Sequence, residues 1–134
     1  RYGDEYHNSY SAVEGGYGIA LSHISGKKIK RINVPYTCNG SLSEWNKWKS
    51  IISSELKNGN SVYLGGMTGE TSGNNGKMNL CAGHAFSITA YNASTDLFTI
   101  YNPHGVEHSW STHNHSFQTN WETLYKLNAW LYWT

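Results

Sequence analysis

Two residues stand where they could do chemistry together, His84 and Asn102. From Gly83 to Tyr91 the side chains alternate, with His84, Phe86, Ile88 and Ala90 on one face and Ala85, Ser87, Thr89 and Tyr91 on the other. That period of two predicts a strand. Asn92 to Asp96 reads as a turn and Leu97 to Tyr101 as the returning strand of an antiparallel hairpin, broken after Asn102 by Pro103, which lacks an N–H. Such pairing brings His84 and Asn102 to the same end of the sheet. An imidazole oriented by an amide oxygen is what a thiol nucleophile needs, because the ring takes the thiol proton while the amide holds the productive tautomer. A satisfied structural His–Asn pair would occupy the same positions.

The chain offers two thiols, Cys38 and Cys81, which could form a disulfide, be two buried thiols, or be one reactive thiol and a bystander. Cys81 lies three residues before His84. On the same strand as His84, it faces the opposite way, about 10 Å apart along the chain, which makes Cys81 a poor nucleophile candidate. Cys38 precedes a helix beginning near Ser41, and a helix N-terminus lowers a thiol pKa. It sits before the N-cap, however, outside the first turn. A self-contained Cys38–His84–Asn102 hydrolase is thus weighed against a Cys38 that is buried or disulfide-linked.

The local wording around the pair narrows the choice. Gly83-His84-Ala85-Phe86-Ser87-Ile88-Thr89, followed by Leu97-Phe98-Thr99-Ile100-Tyr101-Asn102-Pro103-His104-Gly105, closely resembles the calpain family of papain-like cysteine peptidases. That family carries G-H-A-Y-S-V-T on one strand and ends the next in R-N-P-W-G. The chain departs at His104, where the family has a Trp that covers the His–Asn pair from water. Trp45 to Gly66 and Ser116 to Trp133 resemble the family's helix-then-strand and terminal segments, and Tyr10 to Gly26 does so loosely.

The resemblance implies a papain-like His/Asn lobe of α+β class, with an antiparallel sheet or barrel flanked by helices, spanning residues 1–134 as a single domain. It implies His84 and Asn102 as catalytic residues, and a substrate cleft lined by Gly65, Gly66, Gly83 and His104. The family's nucleophile sits in Q-x-x-G-D-C-W on the other lobe, and nothing in this sequence matches that motif. The expectation is therefore a cysteine endopeptidase lobe whose partner is a Cys-bearing lobe, on a second chain or in a missing segment, acting on polypeptide. Arg1 would then mark the junction between the lobes, as in a processed or excised chain. A non-catalytic pseudo-peptidase or binding module is the alternative, favoured by His104 and the missing nucleophile and opposed by the retention of both His84 and Asn102.

In the same family, loops after the Asn strand use clustered acids to hold calcium. Here Gly105 to Thr119 contain one acid, Glu107, too few for a hard cation. His104, His108, His113 and His115 replace them; such loop histidines could hold zinc or copper, but no Cys or carboxylate pattern completes a site. We expect no metal and no cofactor.

Several elements must position the pair. Ser41-Leu42-Ser43-Glu44 reads as a capping box opening a helix over residues 42–57, with Trp45, Trp48, Ile52 and Leu56 on one stripe and Asn58-Gly59 ending it. Ser61 to Leu64 reads as a strand, Thr68 to Asn79 as a surface loop, and Lys27 to Arg31 as a solvated basic loop. Thr119-Asn120-Trp121-Glu122 suggests a second capping box with a short helix to about Leu127, before a last strand from Ala129 to Trp133. Near the start, Tyr6, Tyr10 and Val13 fall at one-turn spacing, Gly15-Gly16 would stop a helix, and Ile19 to Leu21 form an aliphatic stretch.

The 134 residues hold six Trp, ten Tyr and three Phe, a load able to build one core. A formal net charge of +1 leaves no electrostatic footprint for nucleic acid or an anionic membrane. No apolar run is long enough to span a bilayer. Low charge with abundant Asn, Ser, Tyr and Trp suggests a secreted or cell-surface protein.

Overall fold

A computed structural model describes residues 26–103 and 111–134. The described elements run β1 (Lys30–Asn33), α1 (Val34–Cys38), α2 (Leu42–Lys57), β2 (Val62–Gly65), β3 (Phe86–Asn92), β4 (Leu97–Tyr101), β5 (Ser116–Thr119), α3 (Trp121–Lys126) and β6 (Trp130–Trp133). The class is α+β. The strands form one six-stranded sheet in the order β1-β6-β2-β3-β4-β5, every neighbouring pair antiparallel. Of the sheet or barrel expected, the open sheet is found. Among the described residues no helix is long and apolar enough to cross a membrane.

Strand periodicity sends one set of side chains into the core: Ile32, Val62, Leu64, Phe86, Ile88, Phe98, Ile100, Leu131 and Trp133 are all buried. Helix α2 covers this layer. Its stripe behaves as its spacing requires: Ile52 is fully buried, and Trp45, Trp48 and Leu56 pack against the core. Trp48 meets Trp133 edge-on at 6.3 Å, and Trp45 lies 5.5 Å from Tyr125. Ser41 caps the helix by accepting from the Glu44 N–H at 3.5 Å.

The hairpin departs from strict alternation at a bulge between Ile88 and Ala90. The extra residue, Thr89, reverses the facing of the residues after it, so Tyr91 pairs with Phe98, the two rings tilted at 34° with centroids 4.6 Å apart. There Tyr91 donates its hydroxyl to Asp96 Oδ1 at 2.6 Å, and the buried Lys49 of α2 reaches both Asp96 oxygens at 2.9 Å. This group ties the hairpin turn to the covering helix.

Other expectations are corrected. Lys30 and Arg31 belong to edge strand β1, exposed as a loop would be but paired with Trp133 and Tyr132 of β6. Helix α1 was not foreseen: Asn33 caps it, accepting from the Tyr36 N–H at 3.0 Å, and Pro35 stands in its first turn, where no N–H is needed. The cap of α3 is Asn120, one residue later than expected, accepting from the Thr123 N–H at 2.9 Å, while Thr119 ends β5. The features read at Tyr6 to Leu21 lie outside the described residues.

Candidate active site

The strand register delivers the pair to one end of the sheet. Leu64 lies opposite Phe86, and Ser87 opposite Tyr101. The segment entering β3 and the residue leaving β4 are therefore adjacent. His84 is not on the strand itself, which begins at Phe86. A turn precedes it, with Gly83 at φ +68 and, among the described residues, nothing within 4 Å of where a Cβ would stand. Glycine suits that left-handed backbone.

His84 Nε2 lies 2.8 Å from Asn102 Oδ1. Asn102 is fully buried. Its backbone N–H donates to the His115 carbonyl at 2.7 Å, and its Nδ2 donates to the Asn114 carbonyl at 3.4 Å. Only the NH2 end of the amide can face a carbonyl, so Oδ1 is the atom turned toward His84. Since Oδ1 only accepts, His84 donates through Nε2–H and its basic lone pair is on Nδ1. The half-buried ring also meets Phe86 edge-on at 4.7 Å, and Phe86 in turn meets Phe117 at 6.0 Å. One side of the imidazole is thus held by an amide and another by aromatic packing.

The glycines expected to line a cleft occupy the same end. Gly65 is buried and closes β2 opposite Trp130. Gly66 follows at φ +66, and a Cβ there would stand 2.7 Å from Trp130 Cδ1. The indole therefore lies directly against the backbone beside the segment that carries His84. His104 and His108 lie outside the described residues. His113 Nδ1 is 2.8 Å from Thr112 Oγ1, and His115 meets Tyr101 edge-on at 6.2 Å. Among the described residues no three His, Cys, Asp or Glu side chains gather as metal ligands would.

Both cysteines are free thiols. Cys38 ends α1 and is fully buried. Burial, helped by the Glu44 carboxylate and opposed by Lys47, pushes its thiol up to about 11. The helix N-terminus that might have lowered it belongs to α2, from which Cys38 is separated by Asn39, Gly40 and the cap Ser41. Cys81 is half-buried, and its thiol is also raised, by burial first and then by Glu70. The expectation that Cys81 shares a strand with His84 is corrected, because the turn at Gly83 separates them and β3 starts later. Burial thus raises both thiols, whereas a nucleophilic thiol is ordinarily lowered.

An α+β sheet that presents a histidine steered by a buried amide fits the acid–base half of thiol-dependent hydrolysis. The model of the Peptidase_C39 like family matches residues 2–129, and the chain belongs to that family, a family of cysteine peptidases. No curated protein matches the chain. Sequence reasoning missed the carbonyls of Asn114 and His115 that hold Asn102, because they lie in a polar stretch without a periodic signal, next to the short strand β5.

Proposed function

We propose that this chain is the His/Asn lobe of a calpain-like cysteine peptidase, with His84 as proton carrier and Asn102 as its orienting amide. The observation that carries the reading is the 2.8 Å contact between His84 Nε2 and the Oδ1 of a fully buried Asn102. Membership of a cysteine peptidase family supports it. In this reading the nucleophile comes from a Cys-bearing lobe on a second chain or missing segment: the sequence has no match to the Q-x-x-G-D-C-W motif, Cys38 is fully buried, and burial raises both thiols. The substrate is polypeptide, approaching beside Gly65, Gly66, Gly83 and His104, and the protein works in a secreted or cell-surface setting.

In this reading the thiol proton passes to His84 Nδ1 as the sulfur attacks the scissile carbonyl carbon. Asn102 stabilises the resulting imidazolium by accepting from Nε2–H. The imidazolium then gives its proton to the leaving amine as the C–N bond breaks and a thioester remains. Water attacks the thioester, passing a proton to Nδ1, and the acid product leaves as the thiol recovers its proton.

His84→Ala in the two-lobe assembly tests this. Peptide hydrolysis should fall by roughly 100- to 10,000-fold while circular dichroism remains that of the parent and unfolding stays cooperative. Undiminished turnover in that variant overturns the assignment and leaves the lobe as a binding module.

A further inference from the structure

A second cluster stands behind the pair. The carboxamides of Asn75, Asn79 and Asn114 converge on one point: Asn75 Nδ2 donates to Asn114 Oδ1 at 2.9 Å, and Asn114 Nδ2 donates to Asn79 Oδ1 at 2.7 Å and to Asn75 Oδ1 at 3.3 Å. Asn114 is buried. Gly73 forms the floor of the cluster. A Cβ there would stand 2.7 Å from Asn114 Nδ2, 3.0 Å from Asn75 Oδ1 and 3.4 Å from Asn79 Oδ1. The backbone reinforces the join: Met78 N–H donates to the Thr112 carbonyl at 2.9 Å, and Asn114 N–H returns a bond to the Met78 carbonyl at 2.9 Å. The loop before β3 is itself closed by bonds from Thr71 N–H to the Leu80 carbonyl and from Asn79 N–H to the Thr71 carbonyl.

This cluster leads directly to the site. The carbonyl that receives Asn102 Nδ2 is that of Asn114. Fixing that carbonyl fixes which end of the Asn102 amide faces His84, since an amide turned end for end would oppose two acceptors and present NH2 to the ring. A reversed Asn102 would donate to His84 Nε2 and move the ring proton to Nδ1, removing the lone pair that takes the thiol proton. At 3.4 Å the Nδ2 contact is long, so its direction depends on how firmly Asn114 is held.

We propose that Asn114, locked by Asn75 and Asn79, is a positioning residue that sets the amide orientation of Asn102 and through it the protonation pattern of His84. The proposal rests on the reading of His84 and Asn102 as the acid–base pair. The polar loop over residues 71–80 is then part of the catalytic apparatus at one remove: it touches neither substrate nor the reacting atoms, yet decides which nitrogen of His84 is basic.

The test reads the ring proton directly and does not need turnover. In the full chain, imidazole-selective proton–nitrogen NMR, with the signal assigned by its loss in His84→Gln, should show a His84 Nε2 proton in slow exchange with water. Asn114→Ala and Asn79→Ala should each accelerate that exchange or move the proton to Nδ1, while the melting curve stays cooperative. Asn79→Asp keeps an acceptor for Asn114 Nδ2 and should restore the parent signal. If Asn114→Ala does not fold, Asn79→Ala decides. An equally protected Nε2 proton in a folded alanine variant overturns the proposal, as does failure of Asn79→Asp to differ from Asn79→Ala. In the two-lobe assembly the alanine variants should lose about 10- to 100-fold in kcat with KM little changed. A ring signal that responds as expected without any hydrolysis in the parent would retain the positioning role and remove the peptidase reading.

Discussion

His84 Nε2 and Asn102 Oδ1 lie 2.8 Å apart at the mouth of the β3–β4 hairpin, and Asn102, the acceptor, has no exposed surface. A buried amide is expensive to leave unmatched, and this one is matched on both ends, by His84 on the oxygen and by the Asn114 carbonyl on the nitrogen. Asn102→Ala removes both bonds and leaves a void, so unfolding in denaturant should show a loss of about 1–3 kcal/mol. On the peptidase reading proposed above, hydrolysis by the two-lobe assembly should fall less in Asn102→Ala than in His84→Ala, because an unsteered imidazole still carries protons.

The two thiols should respond differently to probes of access and pH. In the native chain at neutral pH, alkylation followed by mass spectrometry should modify Cys81 slowly and Cys38 more slowly still, with both reacting fast once the chain is unfolded. The sign of the pH effect comes from the raised thiol. Cys38 moves from 9.0 to about 11 on folding, so its contribution is fully present below about pH 9 and is lost as pH rises toward 11. Tyr91, raised from 10.0 to about 12 by burial and by Asp96, continues the decline. Denaturation midpoints across this range should fall, and Cys38→Ala should flatten the lower part of the fall while leaving the upper part.

At the opposite end of the hairpin, the Tyr91 hydroxyl and then Lys49 hold the Asp96 carboxyl below the usual range. The stabilisation is therefore present above pH 3.8 and is lost as pH drops through the lowered value of the folded state. Asp96 is half exposed, so solvent screens much of the attraction. Asp96→Asn nonetheless strips the counter-charge from a Lys49 side chain that is only 10% exposed, and a loss of about 1–2 kcal/mol is expected at neutral pH. The same variant should lose stability less steeply in acid.

Gly66→Ala should be among the more damaging single-methyl additions. The new Cβ meets the Trp130 ring at 2.7 Å, and φ +66 is unfavourable to any L side chain. We expect about 1–3 kcal/mol of destabilisation, read from thermal unfolding. Displacement of Trp130 should appear as a changed tryptophan emission spectrum. Gly83→Ala meets no neighbour among the described residues and should carry the backbone penalty of its φ +68.

The elements with a repeating chemical pattern are legible in the sequence. The apolar stripe from Trp45 to Leu56 between Ser41 and Asn58 specifies helix α2 over residues 42–57 as found, because capping and helical period are local. Leu97 to Tyr101 is likewise the strand its alternation implies. The His–Asn pair was reachable because hairpin pairing converts sequence separation into proximity. The features beyond the reach of sequence depend on contacts between distant segments. Edge strands β1 and β5 are short and polar on one face, so only their partners β6 and β4 make strands of them. The bulge at Thr89 turns Tyr91 toward Asp96 and Lys49, which no two-residue period could foretell. Residue types alone supplied an imidazole and an amide at hairpin positions that can meet. Tertiary structure decided which amide end faces the ring, which ring nitrogen is basic and that burial raises both thiols, because each depends on burial and on hydrogen-bond partners remote along the chain.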